Sequence, residues 1–343
     1  MELPTLDKFP KRVLASIDIQ RAFIVSRLIV AAERLQLFRS LHGKRMKAAS
    51  IGRALNIHKT YLNAFLNSFV SLGLLHKKGG TYWNTHLAEK YFIAERSIYW
   101  TRQYSKECVQ AYENLTVLEK ALTSGQGCAS IKKLNVPSYI DRMKQDRREA
   151  EDFTQMLFHF HQDDAEALAK HLDLSTHRAV LDVGGGSGVM SIGLARKNPR
   201  LRACIFDLPT VCEVAARNIK RTRLSRRIST QAGDIRQPLP EGYDVILFCD
   251  VGPVTKRHLR NAYRSLPGGG LVVAVDRYFS GNGTQPLDRL VSHFSGSAFP
   301  MATRADMVTR VRSCGFESVK AREVHRDLWC ISGVKPAAGR ERE

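Results

Sequence analysis

Asp182-Val-Gly184-Gly185-Gly186-Ser187-Gly188 decides the fold. The apolar run Ala179-Val-Leu-Asp182 reads as a short buried strand, and the pattern over 189–197 reads as a helix. Glycines between a strand and a helix let the backbone turn tightly and let a ligand approach it closely. The spacing from Gly184 is G-x-G-x-G. Val189 stands where the dinucleotide fingerprint needs its third glycine, so this is not the NAD form. Strand-to-helix turns also use glycine structurally, and the surrounding chain has to decide.

Downstream, strands and helices alternate. Ile205-Phe206 precedes Asp207, Tyr243–Cys249 precedes Asp250, and Leu271–Val275 precedes Asp276, with helical patterns over 210–222 and 255–265. That order means a parallel sheet with crossover helices. The stretches 318–324 and 328–334 read as an antiparallel pair closing it. In an open α/β sheet the ligand lies beyond the carboxyl ends of the strands, where Asp207, Asp234, Asp250 and Asp276 fall. Asp207 comes 23 residues after Gly184, a spacing that suits a carboxylate accepting both ribose hydroxyls. Asp234 is a candidate acceptor for an adenine amino group. The competing reading is helix capping. It suits Asp250 and Asp276 but not Asp207, which Leu208-Pro209 follows.

The N-terminal part has another texture. Residues 17–40 read as one amphipathic helix, 48–56 and 60–75 as two more around a turn, and Gly79-Gly80 as a hairpin turn before the strand 81–83. This is the winged-helix order. No Lys or Arg lies between Tyr61 and Leu75, and a DNA-reading helix without a cation forfeits its phosphate contacts. The expectation is packing or dimerisation. Residues 98–170 read as helical, with breaks near Gly125-Gln-Gly127 and Pro137. They carry His159 and His161, each a packed histidine by default, with a pocket role open for either. The boundaries expected are 1–100, 101–170, 171–337 and a flexible tail 338–343.

The chain has 343 residues, 43% hydrophobic and 25% charged, which excludes a disordered chain, a fibre and a small stapled scaffold. Its net charge of +20 divides into +9 on 1–170 and +11 on 171–343. The densest run, Arg217, Lys220, Arg221, Arg223, Arg226 and Arg227, reads as a solvated face or as a site for an anionic partner. Seven cysteines with no C-x-x-C argue against a disulfide framework and a thiolate metal site, and no metal is expected. Met1–Arg12 lacks the apolar core of a signal peptide and no apolar stretch has membrane length, so a cytoplasmic protein without a membrane span is expected.

Val183-Gly-Gly-Gly-Ser-Gly188, Phe206-Asp-Leu-Pro209 and Gly233-Asp234, in this order and spacing, resemble the class I S-adenosylmethionine-dependent methyltransferases. More narrowly they are similar to the plant-type O-methyltransferase family, as is Leu266-Pro-Gly-Gly-Gly270, and the resemblance covers nearly the whole chain. Leu290–Pro300 and Leu247-Phe-Cys249 are similar, more weakly, to the bacteriochlorophyllide C-20 methyltransferase branch. The resemblance implies an α/β fold: a Rossmann-like methyltransferase sheet with an N-terminal, mostly helical winged-helix dimerisation domain, and a homodimer. It implies S-adenosyl-L-methionine as cofactor and S-adenosyl-L-homocysteine as product. Gly184, Gly186 and Gly188 would pass under the methionine part and ribose, beside Asp182. Asp207 would hold the ribose hydroxyls, Leu208 would belong to the same cofactor site, Asp234 and Ile235 would meet adenine, and Cys249 and Asp250 would flank the reacting end.

The chain departs from the family at its base. The family's His-Asp pair after the strand ending near Cys249 is missing, and His258 aligns poorly. His293, matching the C-20 branch, is the first acid/base or substrate-positioning candidate, and Asp250 the second. Met156, His159, His293 and Phe294 are expected against the acceptor. The function implied is methyl transfer to oxygen or carbon of a small, flat or aromatic metabolite, for which an anionic acceptor would suit the charge. The alternatives are a cofactor-binding member without transfer activity and a nucleic-acid methyltransferase. Against the latter stand the cation-free helix and the absence of an Asn/Asp-Pro-Pro-aromatic motif.

Overall fold

The computed structural model describes residues 17–94, 105–106, 108–134, 139–279, 294, 302–325 and 327–337. They fall into two compact units divided between Thr116 and Val117. His293 and the tail 338–343 lie outside the described residues.

In the first unit the expected single helix is two, α1 (Ile17–Arg34) and α2 (Leu37–Ser40). Gln36 has φ 57°, a left-handed conformation that ends α1. The break turns Leu37 and Phe38 fully into the core. Next come β1 (Met46–Lys47), α3 (Ala48–Leu55), α4 (Lys59–Ser71), β2 (Leu75–Lys78) and β3 (Thr81–Asn84), in a sheet of order β1-β3-β2. Phe38 meets Phe69 edge-on at 5.4 Å and stacks on Phe92 at 4.3 Å, and these rings join Leu66, Ile51 and Tyr82 in one core. The periodicity of α4 buries Leu62, Leu66 and Phe69. Helix α1 leaves Phe23, Ile24 and Val25 exposed. The short helix α5 (His86–Ala88) follows.

The second unit opens with α6 (Leu118–Ser124), α7 (Cys128–Ile131), α8 (Tyr139–Gln145), α9 (Arg147–Phe160) and α10 (Gln162–His171). Then come β4 (Ala179–Val183), α11 (Val189–Lys197), β5 (Arg202–Asp207), α12 (Pro209–Arg221), β6 (Ile228–Ala232), β7 (Val245–Cys249), α13 (Lys256–Ser265), β8 (Leu271–Arg277), α14 (Arg304–Ser313), β9 (Glu317–His325) and β10 (Leu328–Val334). The sheet order is β6-β5-β4-β7-β8-β10-β9. Its first five strands are parallel, and β10 runs antiparallel to β8 and β9.

Alternation along the strands feeds two cores, one on each face. Val180, Val245, Leu247 and Val273 join Leu168 of α10 and Ile192 of α11. Leu181, Val183, Ile246, Phe248 and Val272 join Leu259 of α13 and Met307 of α14. Helix α10 lies so close on α11 that a Cβ on Gly193 would stand 2.8 Å from the Ala165 carbonyl oxygen. Glu151 and Arg147 of α9 pair with Arg217 and Glu213 of α12. These contacts tie α9 and α10 to the helices that flank the sheet. They also occupy Arg217. Arg227 donates from Nη1 to the carbonyls of Ala195, Asn198 and Leu201, at 2.7, 3.0 and 3.3 Å. Two members of the basic run are therefore structural.

Candidate active site

Strand β4 is central, with β5 on one side and β7 on the other, so the chain reverses its winding direction there. A ligand crevice opens at that switch point. Gly184 (φ 68°) donates its N–H to the Phe206 carbonyl at 2.8 Å, and a Cβ on it would stand 2.6 Å from Val251 Cγ1. Gly188 (φ 78°) starts α11, and its Cβ would meet Ile205 Cδ1 at 2.6 Å. Gly186 (φ 55°) differs, because a Cβ there would approach only the Gly184 carbonyl, at 3.9 Å. Gly184 and Gly188 are glycine for close packing, while Gly186 fronts open space.

Asp207 faces this loop. Its Oδ2 accepts the Gly186 N–H at 2.8 Å and its Oδ1 accepts the Leu208 N–H at 2.7 Å. Burial pushes its carboxyl up to about 6, against those two hydrogen bonds. Each oxygen keeps a further lone pair for a ligand donor. Asp182 lies beneath, wholly buried, with Oδ2 accepting from Ser191 Oγ at 2.7 Å and Oδ1 without a partner among the described residues. Burial pushes it also to about 6. Gly233 is pressed on Phe206, since a Cβ would fall 2.0 Å from the ring. This fixes the approach to Asp234, whose carboxylate is forked by Arg236 and held at about 2 by that hydrogen-bonded cation. Ile235 packs half-buried on the second core.

On the other side of β4, Asp250 follows β7 with φ 50° and donates its N–H to Val275 at 3.0 Å. It caps no helix. Thr255 caps α13 and forms a reciprocal box with His258, which gives that histidine a structural task. The Tyr139 hydroxyl is held above its ordinary value by burial, then by the negative charge of Asp207, with a smaller push from Asp250. One side chain thus senses both carboxylates across the loop.

The O-methyltransferase domain model matches residues 118–310, and the O-methyltransferase dimerisation domain model matches 17–93. The chain belongs to the O-methyltransferase family. It is 29% identical to a 3-hydroxy-5-methyl-1-naphthoate 3-O-methyltransferase of Streptomyces sahachiroi, covering 93% of this chain and 94% of that protein. It is 25% identical to the N,N-dimethyltransferase OxyT of Streptomyces rimosus, covering 93% and 96%. The structure of PigF with S-adenosylhomocysteine, a protein of Serratia, superposes with a TM-score of 0.82 at 22% identity, covering 95% of this chain and all of that one.

This O-methyltransferase uses S-adenosylmethionine. Its residues fit that cofactor: Gly186 leaves a cradle that a Cβ would enter, and Asp207 offers a fixed carboxylate beside it. Among the described residues no helix is long and apolar enough to cross a membrane, and no group of His, Cys, Asp or Glu could hold a metal ion.

The structure brings Asp182, Gly184, Gly186, Gly188, Asp207, Leu208, Cys249 and Asp250 to the carboxyl ends of β4, β5 and β7. The Cys249 thiol is pushed up by burial and by the Asp250 charge. Met156 is buried on α9, and His159 pairs with Gln155 of its own helix at 3.3 Å. Phe294 is half-exposed.

His161, open between packing and a pocket role in the sequence, links two carboxylates near the site. Its Nδ1 lies 2.9 Å from Asp164 Oδ2, and its Nε2 lies 3.3 Å from Asp250 Oδ2. Asp164 is further held by Arg277 Nη2, at 3.2 and 2.9 Å, and by His325 Nδ1 at 2.7 Å. The only sequence signal was His161-Gln-Asp-Asp164 at helical spacing, where α9 hands over to α10.

Proposed function

We propose that this methyltransferase moves the methyl group of S-adenosylmethionine to a hydroxyl of a small, flat aromatic metabolite, as a homodimer. The observation that carries the cofactor site is the Gly186–Asp207 hydrogen bond, which aims a carboxylate at the open face of the glycine loop. Asp207 would accept the ribose hydroxyls. Gly184, Gly186 and Gly188 would underlie the methionine part and ribose, Leu208, Asp234 and Ile235 would meet the adenine, and Cys249 with Asp250 would flank the reacting end.

The acceptor class is argued from the full-length likeness to a hydroxynaphthoate 3-O-methyltransferase. A carboxylated aromatic would also suit a chain of charge +20. The bound cofactor supplies a methyl group already activated on a sulfonium. The protein's part is alignment and exclusion of water. An acceptor hydroxyl must still lose its proton, and a base contributes ~10²–10⁴-fold. Asp250, its side chain 36% exposed, is the described candidate to receive it. His293, the first candidate on the sequence, lies outside the described residues. For the homodimer, the exposed apolar side chains Phe23, Ile24 and Val25 within the dimerisation-domain match are the surface we assign.

The test is incubation with methyl-labelled cofactor and a panel of hydroxynaphthoates, hydroxyanthraquinones and hydroxylated tetrapyrroles, with the labelled position read by mass spectrometry and NMR. Label on an aromatic oxygen is expected. Label on carbon would move the chemistry to C-methylation. Cofactor binding with no transfer to any acceptor would contradict the enzyme reading, and label on RNA or DNA would contradict the acceptor class.

A further inference from the structure

Four elements meet behind the reacting end proposed above. His161, at the junction of α9 and α10, is 5% exposed, and Asp164 of α10 is 3% exposed. Arg277 ends β8 and His325 ends β9, and both donate to Asp164. Asp250 follows β7 and is the one acidic member with an open surface. The two carboxylates bring two negative charges, which Arg277 and a protonated His161 balance. His161 Nε2 has no aligned hydrogen-bond partner among the described residues, yet it stands at ion-pair distance from Asp250 Oδ2. A buried imidazole locked on one nitrogen by a carboxylate has little rotational freedom, so the other nitrogen keeps a fixed direction.

We propose that His161 is a positioning residue: locked by Asp164, it holds the Asp250 carboxylate toward the reacting end of the bound cofactor and acceptor. The proposal rests on the reading of Asp250 given above. Asp250 pays for its left-handed backbone (φ 50°) with strain that an aspartate tolerates better than most residues, and strained residues persist where their surroundings over-determine them. The His161 ion pair and the Val275 hydrogen bond are two such constraints. The electrostatics agree. Burial opposes the imidazolium, but the Asp164 hydrogen bond and the negative charges of Asp164 and Asp250 outweigh it and raise His161 to about 9. The cation is therefore present at neutral pH and lost as pH rises through about 9. Asp164 is held well below the usual carboxylate range, against its own burial, by His161, Arg277 and His325. Both carboxylates thus favour the protonated imidazole, and its charge attracts the Asp250 side chain.

The test is a double-mutant cycle of His161→Gln and Asp250→Asn, read by calorimetric affinity for S-adenosylhomocysteine and by kcat and KM with a working acceptor. Each single change is expected to cost on the order of tenfold in kcat/KM or affinity, and His161→Gln to cost nothing more when Asp250 is already Asn. The wild-type chain gives a second readout that needs no substitution. The NMR titration of the His161 ring near pH 9 should shift when S-adenosylhomocysteine binds, because the Asp250 charge is then engaged. Multiplying effects in the cycle, or a ring titration indifferent to that ligand, would overturn the proposal while leaving the Asp250 reading intact. An Asp250→Asn chain with unchanged affinity and rate, or a native chain that does not bind S-adenosylhomocysteine, would overturn both.

Discussion

Asp207 carries the most specific expectation of any single residue. Its carboxyl sits near 6, so the ionised form that accepts hydroxyls is depleted as pH falls below about 6. Affinity for S-adenosylhomocysteine should be flat above that value and weaken about tenfold per pH unit well below it, and an Asp207→Asn chain should lose this dependence. Calorimetry across pH 5–8 checks both. Gly233→Ala should be severe for a different reason. Its Cβ would lie inside the Phe206 ring, and both residues are anchored in the sheet region, so a loss of several kcal/mol in urea unfolding is expected. The contact between Gly186 and Asp207 was legible as a spacing, because a glycine loop and the end of the next parallel strand must be neighbours. The Asp164 cluster was not. Its members are Asp164, His161, Asp250, Arg277 and His325, and only the first pair is local. Nothing in their separate neighbourhoods predicts the meeting, which the sheet order creates by setting β8 beside β7 and bringing in β9 through β10.

Helices and strands were mostly readable where their apolar period was unbroken. Val189–Lys197 matches the expected span, and the closing antiparallel pair lies at Glu317–His325 and Leu328–Val334. The break between α1 and α2 was hidden because Leu35 and Phe38 continue the apolar pattern, while a glutamine at φ 57° carries no turn signal. The basic run misled in the same way. Composition reads Arg227 as one more surface cation, yet its guanidinium ties down carbonyls in the last turn of α11 and just beyond it. Arg227→Met would take this donor from the Ala195 and Leu201 carbonyls, while Asn198 keeps the Leu201 N–H, and should cost ~1–3 kcal/mol by urea denaturation. Truncating the exposed Lys220 should cost less than ~0.5 kcal/mol.

For the molecule as a whole, these buried titratable groups predict stability that falls with rising pH in two windows. Asp182 and Asp207 have folded values near 6, above those of an unfolded chain. Their stabilising contribution is full at acid pH and lost as pH rises through about 6. His161 is raised from 6.5 to about 9, so its contribution is full below about 6.5 and gone above about 9. Thermal melting across pH 4–10 should show a decline above neutrality that His161→Gln flattens. The charge of +20 marked neither domain, since it divides into +9 on 1–170 and +11 on 171–343. Light scattering of the native chain should give twice the monomer mass, and Phe23→Asp should shift it toward the monomer.

The central claim is that the glycine loop and Asp207 form one cofactor site. Calorimetric titration of S-adenosylhomocysteine into the native chain and into Asp207→Ala tests it most directly. The account predicts one site per chain in the native protein and at least about tenfold weaker binding in the variant, with the fold intact by circular dichroism. Equal affinity in the two proteins would contradict it.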